Sequence, residues 1–214
     1  VLTARILKLC RDHDVKAFIH SGSSSEYGKL ADNAQEDGSL EPNSDYSVSK
    51  ISTSYMLKYY GRELGVPCAN LRLFSVYGPY EDSSRLIPQL VIQGSQSKYP
   101  PLVSPEIARD FVYVDDACEA FFVAANNLKP ETYGNSYNVG TGTETSIGKL
   151  ADLTKDLFSI GTSPDFGSME NRSWDLSKWY ADTRKAQTEL GWQARTSIQE
   201  GLAKTRSWYE ALSH

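Results

Sequence analysis

The feature that most restricts the fold is a long helical pattern that hands over directly to a short apolar strand. Asn43 or Ser44 offers the cap, and a helix-compatible run then extends to about Gly65. Gly65-Val-Pro67 makes a turn, and Val66-Pro-Cys-Ala-Asn-Leu-Arg-Leu-Phe74 reads as a strand. A helix that returns to a strand in this way points to parallel connections in an α/β sheet. Upstream, Val15-Lys-Ala-Phe-Ile-His20 is β-prone. It leads into Phe18-Ile-His-Ser-Gly-Ser-Ser-Ser-Glu-Tyr-Gly28, a buried strand ending in small hydroxyl residues. Residues 29–45, rich in Asn, Asp, Glu, Gly and Pro, read as a surface loop between that strand and the long helix.

The long helix carries Tyr46 and Lys50. Residues four apart on a helix lie one above the other on the same face. The Lys ammonium can then stabilise the phenolate and lower the Tyr pKa from its usual value of about 10. A Tyr tuned in this way can take a proton from a hydroxyl or return one to a ketone. Alone, Y-x-x-x-K is more often a solvated helix face. Its weight comes from the serines at the strand end some twenty residues before it.

On these residues the chain resembles the extended short-chain dehydrogenase/reductase family, the NAD-dependent nucleotide-sugar epimerases and dehydratases. The resemblance implies an α/β doubly wound, Rossmann-like fold with a small C-terminal substrate-binding lobe. It also implies a Ser/Thr-Tyr-Lys triad. Matching Tyr27-Gly28 to the family's Y-G places the catalytic hydroxyl on Ser23, beside Tyr46 and Lys50. The resemblance implies Tyr46, Lys50 and Phe74 in cofactor binding, Lys50 at the nicotinamide ribose of NAD, with NADP not excluded. Ser24 would meet the substrate.

Further segments extend the resemblance over essentially the whole chain. Arg72-Leu-Phe-Ser-Val-Tyr-Gly-Pro79 is similar to R-x-F-N-x-x-G-P, with Ser75 where relatives carry a phosphate-binding Asn. Arg85-Leu-Ile-Pro88 matches the segment that lies along the base and phosphates, which implies Arg85 and Leu86 in substrate binding. Ala108-Arg-Asp-Phe-Val-Tyr-Val-Asp-Asp-Ala117 implies Arg109 on the diphosphate, since a guanidinium fork suits phosphate oxygens. Asn135-Ser-Tyr-Asn-Val-Gly-Thr-Gly142 resembles a strand that ends in a glycine turn. Asn171-Arg172 precedes Asp175-Leu-Ser-Lys-Trp-Tyr-Ala-Asp182, an order similar to that of UDP-galactose 4-epimerases, and implies Arg172 as a third diphosphate contact. Residues 1–74 and 109–140 would form the Rossmann-like part, and 75–108 and 141–214 mainly the substrate lobe.

Val1 is not a start methionine, and Val1 to Arg11 already reads as an amphipathic helix in progress. The family's glycine-rich phosphate loop has no counterpart here; Gly140-Thr-Gly142 is the nearest match. The expectation is a fragment lacking the N-terminal strands of the sheet, and therefore binding NAD poorly by itself. Relatives pair through the helix that carries the Tyr and Lys, so a homodimer is implied.

The net charge of −5 argues against a nucleic-acid surface or a polybasic membrane patch. Cys10, Cys68 and Cys118 are odd in number, far apart and in apolar settings, which favours reduced thiols in the cytoplasm over disulfides or zinc. No stretch has the length of a transmembrane helix. His20 reads as a satisfied core histidine. Asp110 reads as structural, and Asp115 or Asp116 as a helix cap rather than a metal ligand.

The reading that follows is an epimerase first, a 4-ketoreductase second and a 4,6-dehydratase third. Dehydration needs an extra acid/base pair directly after the catalytic hydroxyl, where this chain has Ser24 and Ser25, with Glu26 one position too late. The alternative from another class is a non-catalytic nucleotide-sugar-binding or regulatory module that keeps the fold.

Overall fold

The computed structural model describes residues 2–169 and 178–212. Helix α1 (Leu2–Asp12) precedes strand β1 (Phe18–Ser23), which runs without a break into a 3-10 turn (Ser24–Tyr27). Helix α2 (Asp45–Leu64) starts at Ser44, whose hydroxyl accepts from the Ser47 N–H. It stops at Gly65, whose φ of 66° lies in the left-handed region that glycine adopts without strain. Strand β2 (Cys68–Leu73) follows, then β3 (Ser75–Tyr77), α3 (Leu86–Gly94), β4 (Ala108–Arg109), β5 (Phe111–Tyr113) and α4 (Val114–Asn127). The chain continues through β6 (Ser136–Val139), β7 (Thr145–Ser146), α5 (Ile147–Phe158), a π-helical turn (Ala186–Leu190) and α6 (Ile198–Leu212).

The central sheet is parallel, in the order β1-β2-β6, with Phe18 opposite Cys68 and Asn70 opposite Ser136. Alternation along β2 divides the packing between its two faces. Ala69 and Leu71 pack with Ala117, Ala120 and Ala124 of α4 and with Trp192. Cys68, on the other face, packs with Leu7 of α1 and Leu57 of α2. Helices on both faces of a parallel sheet are the doubly wound arrangement.

A second core joins Tyr77, Ile87, Leu90, Phe111, Leu150 and Leu202, drawn from β3, α3, β5, α5 and α6. Two small ladders flank it, β3 with β5 in parallel and β4 with β7 antiparallel. Asp110 ties this region to the end of the sheet. Its buried carboxylate accepts from the N–H groups of Thr141 (2.7 Å), Gly142 (2.9 Å) and Ala181 (3.2 Å). A charge-bearing group buried in this way is tolerated because several donors face it.

Three residue-level expectations are corrected. Asp115 and Asp116 are not caps: Tyr113, the last residue of β5, holds the cap position of α4, so both aspartates fall within its first turn. There they favour the positive end of the helix dipole. The Asp116 carboxylate also accepts from the N–H groups of Arg195 and Thr196, at 3.2 and 2.8 Å. His20 is not satisfied: its Nε2 is buried without a hydrogen-bond partner among the described residues. Burial, with the nearby Lys50, lowers its proton affinity. Cys118 is exposed rather than in an apolar setting, whereas Cys10 and Cys68 are buried; all three are free thiols. No described helix is long and apolar enough to cross a membrane.

Candidate active site

Ser23 ends β1 in an extended conformation and caps the 3-10 turn behind it. Its Oγ accepts from the Ser25 N–H at 3.1 Å and from the Ser25 hydroxyl at 2.8 Å. Its own N–H donates to the Glu26 carboxylate at 3.2 Å. Glu26 is fully buried and accepts from Arg72 Nε at 2.8 Å and from Asn70 Nδ2. Arg72 in turn donates to the Tyr27 hydroxyl at 2.9 Å, and that hydroxyl donates to Asn138 Oδ1 at 2.6 Å. Burial pushes the Tyr27 phenol well above its ordinary range, so it stays neutral. The serine turn therefore rests on a buried polar network that connects β1, β2 and β6. Glu26, the sequence's nearest extra carboxylate, belongs to that network.

Tyr46 lies in the first turn of α2 and is 56% exposed. Lys50, one turn on, donates from Nζ to the Ser21 carbonyl at 2.8 Å. Its ammonium sits 5.5 Å from the Tyr46 ring centroid. This contact fixes α2 against β1 and brings the tyrosine over the strand end.

Ser23 and Tyr46 line one cleft of about 720 Å³. Ser24, Phe74, Ser75, Arg85 and Arg109 line it as well. A second cavity of about 790 Å³ continues from it, sharing Ser75, Arg85 and Arg109 and adding Leu86. Lys50 is not part of the wall of either; it meets the Tyr46 ring instead. Arg172 lies outside the described residues.

Two cleft residues escape the sequence reading. Trp179 donates from Nε1 to Ser24 Oγ at 2.9 Å, and the Arg109 guanidinium lies 5.7 Å from its ring centroid. No local pattern marks this Trp; the bridge between Ala34 and Ala181 brings it in from far along the chain. Glu81 lines both cavities and receives Arg85 Nε at 2.9 Å on one oxygen. Its other oxygen is buried without a partner among the described residues. Burial raises its pKa to about 7, with Arg85 opposing the rise. Its position directly after the Gly78-Pro-Tyr80 turn was the available signal.

The model of the "NAD dependent epimerase/dehydratase family" matches residues 1–140. A trifunctional UDP-glucose 4,6-dehydratase/UDP-4-keto-6-deoxy-D-glucose 3,5-epimerase/UDP-4-keto-L-rhamnose-reductase of Arabidopsis thaliana is 29% identical over 210 residues, 95% of this chain and 31% of the relative. An uncharacterized UDP-glucose epimerase of Bacillus subtilis is 29% identical over 211 residues, 97% of this chain. The chain thus spans under a third of the Arabidopsis relative and 65% of the Bacillus one. Among solved structures, a UDP-glucose 4-epimerase of Thermotoga maritima with UDP-glucose superposes with a TM-score of 0.87 at 27% identity, covering 99% of this chain and 69% of that one. A UDP-glucuronic acid 4-epimerase of Bacillus cereus, in complex with UDP-glucuronic acid and NAD, gives 0.86 at 26% identity, covering 99% and 67%. With a family match over well more than half its length and the serine, tyrosine and lysine gathered at the end of a parallel sheet, the chain belongs to the NAD dependent epimerase/dehydratase family.

Proposed function

We propose that the chain forms the catalytic part of an NAD-dependent enzyme acting on a nucleoside-diphosphate sugar, an epimerase ahead of a 4-ketoreductase. The observation that carries this reading is a single cleft lined by Ser23, Tyr46, Arg85 and Arg109, with Lys50 braced behind the tyrosine. A hydroxyl, a phenol and two guanidinium groups are what proton transfer beside a diphosphate requires.

In this reading the Tyr46 phenolate takes the proton of the sugar hydroxyl, and Ser23 shares that proton by hydrogen bonding. The Lys50 ammonium stands 5.5 Å from the Tyr46 ring centroid, braced on the Ser21 carbonyl. Arg85 and Arg109 hold the diphosphate through the wall they share between the two cavities, and Ser75 and Ser24 add hydroxyl contacts. Leu86 lies along the base, and Arg172 is a further diphosphate contact. Binding energy taken far from the reacting carbon thus positions it.

The residues present fit the nicotinamide end of NAD. Lys50 spends one donor on Ser21 and retains others for a ribose hydroxyl, and Phe74 walls the same cleft. When bound there, the cofactor would supply a reversible hydride acceptor for the sugar carbon. The commitment of Glu26 to Arg72 supports placing a 4,6-dehydratase third. A non-catalytic binding module is the alternative; it has no chemical need for the Tyr46–Lys50 contact.

The division into a Rossmann-like part (1–74, 109–140) and a substrate lobe (75–108, 141–214) belongs to the same proposal. So does a cytoplasmic location, which the free thiols support. A homodimer through α2 is supported by the exposed Val48, Tyr55 and Tyr59, which recur at helical spacing on that helix.

The test is Tyr46→Phe in the full-length polypeptide. Turnover should fall by ~10²–10⁴-fold, the usual worth of general acid–base catalysis. Affinity for the nucleotide sugar should stay nearly the same. Wild-type turnover in the variant would remove Tyr46 from the chemistry.

A further inference from the structure

Glu81 sits where the two cavities meet, in a wall it shares with Ser75, Val76, Arg85 and Arg109, and Asp82 lines the second cavity beside it. Its carboxylate is only 13% exposed. Arg85, the group that pairs with it, is itself 60% exposed, so the pairing offsets little of the cost of burying the acid. The second oxygen has no partner among the described residues, although nearly every buried polar group in a folded protein finds one. The backbone is also held unusually just before it: Tyr80 has a φ of 66°, a region that residues with side chains rarely occupy. The neighbouring core is apolar and gains nothing from a carboxylate. An acceptor short of donors thus stands at the junction of the two cavities.

We propose that Glu81 is a specificity-determining residue: its carboxylate accepts a hydrogen bond from a neutral hydroxyl of the bound sugar and disfavours a sugar that carries its own carboxylate. This rests on the nucleotide-sugar reading above and narrows it to neutral hexoses. The two arginines match the two charges of the diphosphate. A second anion beside Glu81 meets a like charge in a partly desolvated wall, and like-charge juxtaposition is a means of rejecting a competing ligand. The raised proton affinity of Glu81 fits the same picture: burial comes first and Asp82 adds to it, while Arg85 and the Gly78 backbone N–H act for ionisation.

The experiment is calorimetric titration of the full-length polypeptide with UDP, UDP-glucose and UDP-glucuronic acid. Wild type, Glu81→Gln and Glu81→Ala are compared at pH 8. Wild type should prefer UDP-glucose to UDP-glucuronic acid by roughly tenfold or more, the scale of one unfavourable polar contact. Glu81→Gln keeps the shape without the charge and should collapse that preference, mainly by improving the uronate. Glu81→Ala should weaken UDP-glucose while leaving UDP alone unchanged.

A second arm needs no variant. Lowering the pH from 8 to 6 should shrink the wild-type preference as Glu81 takes up its proton. The charged and titratable groups around the site are Arg85 at the head of α3, Asp82 in the same loop, Arg109 of β4 and Tyr46 across the cleft. Burial raises the Glu81 pKa to about 7. An unchanged hexose-to-uronate ratio in both variants, with UDP still bound, would overturn the role of Glu81 alone. Failure of wild type to bind UDP would overturn the nucleotide-sugar reading, and the Glu81 role with it.

Discussion

A carboxylate that titrates near neutrality in a cleft leaves a mark on stability as well as on binding. The pKa of Glu81 stands at about 7 in the folded chain against 4.5 when unperturbed. The folded state therefore holds a proton that the unfolded state has lost, and stability falls as pH rises through that window. Removing the charge by Glu81→Gln removes this loss. The melting temperature of the variant relative to wild type should climb between about pH 5 and 8, read by scanning calorimetry in matched buffers. A difference that stays flat or falls would mean that Glu81 is ionised at little cost. Asp110 is also raised by burial, but Thr141, Gly142 and Ala181 donate to it, and it is identical in both proteins. Its contribution cancels in the comparison. The contrast separates two kinds of buried acid: Asp110 is satisfied and structural, whereas Glu81 is left one partner short inside the cleft. Nothing in the one-dimensional pattern tells them apart, because the difference lies in the number of donors that the fold brings from distant segments.

At the scale of elements, the serine turn depends on one buried ion pair. Glu26 and Arg72 have side chains that are almost wholly buried, 2.8 Å apart. Breaking such a pair by deleting one partner typically costs ~3–5 kcal/mol, because the other charge is left uncompensated. Glu26→Ala should lower stability by about that amount in urea unfolding, and should disorder the strand end that presents Ser23. A loss under ~1 kcal/mol would show that the network is dispensable. A second element-level contact is the close approach of α2 to the turn before β6. A Cβ on Gly61 would stand 2.5 Å from the Gly134 Cα, so Gly61→Ala forces backbone apart. Overpacking of this kind costs ~1–3 kcal/mol, and thermal melts of the variant should show it. These elements also mark what the sequence made legible. The Ser44 cap and Gly65 stop of α2, and the alternation along β2, act locally, and local rules found them. The 3-10 turn, the start of α4 directly after Tyr113 and the placing of Trp179 follow from tertiary contacts. For those, propensity pointed to a satisfied His20 and to capping aspartates that the folded chain does not have.

For the whole molecule, the 214-residue polypeptide should hold a nucleotide sugar far better than it holds NAD. A dinucleotide pyrophosphate is normally received by a glycine turn and the positive N-terminus of a helix that follows a strand. Among the described residues, two helices follow strands directly. The first, α4, carries Asp115 and Asp116 in its opening turn, which repel a phosphate there. The second, α5, has Ser146 as its cap, with that hydroxyl already taken up by the Lys149 N–H. Neither is a dinucleotide cradle. Arg85 and Arg109, by contrast, both line the wall shared by the two cavities, so a sugar diphosphate keeps its contacts. Along the sheet, β1 pairs with β2 on one side only among the described residues, and an open strand edge invites association. Titration of the 214-residue polypeptide with NAD and with UDP-glucose, each followed by calorimetry, should give a measurable isotherm for the sugar nucleotide and little heat for NAD. Light scattering across a concentration series should show association that persists in a Tyr55→Glu, Tyr59→Glu double variant, since those residues sit on α2 and not on β1. Tight NAD binding by this polypeptide would overturn this account of where the cofactor is held. A double variant that stays monomeric at every concentration would assign association to α2 alone.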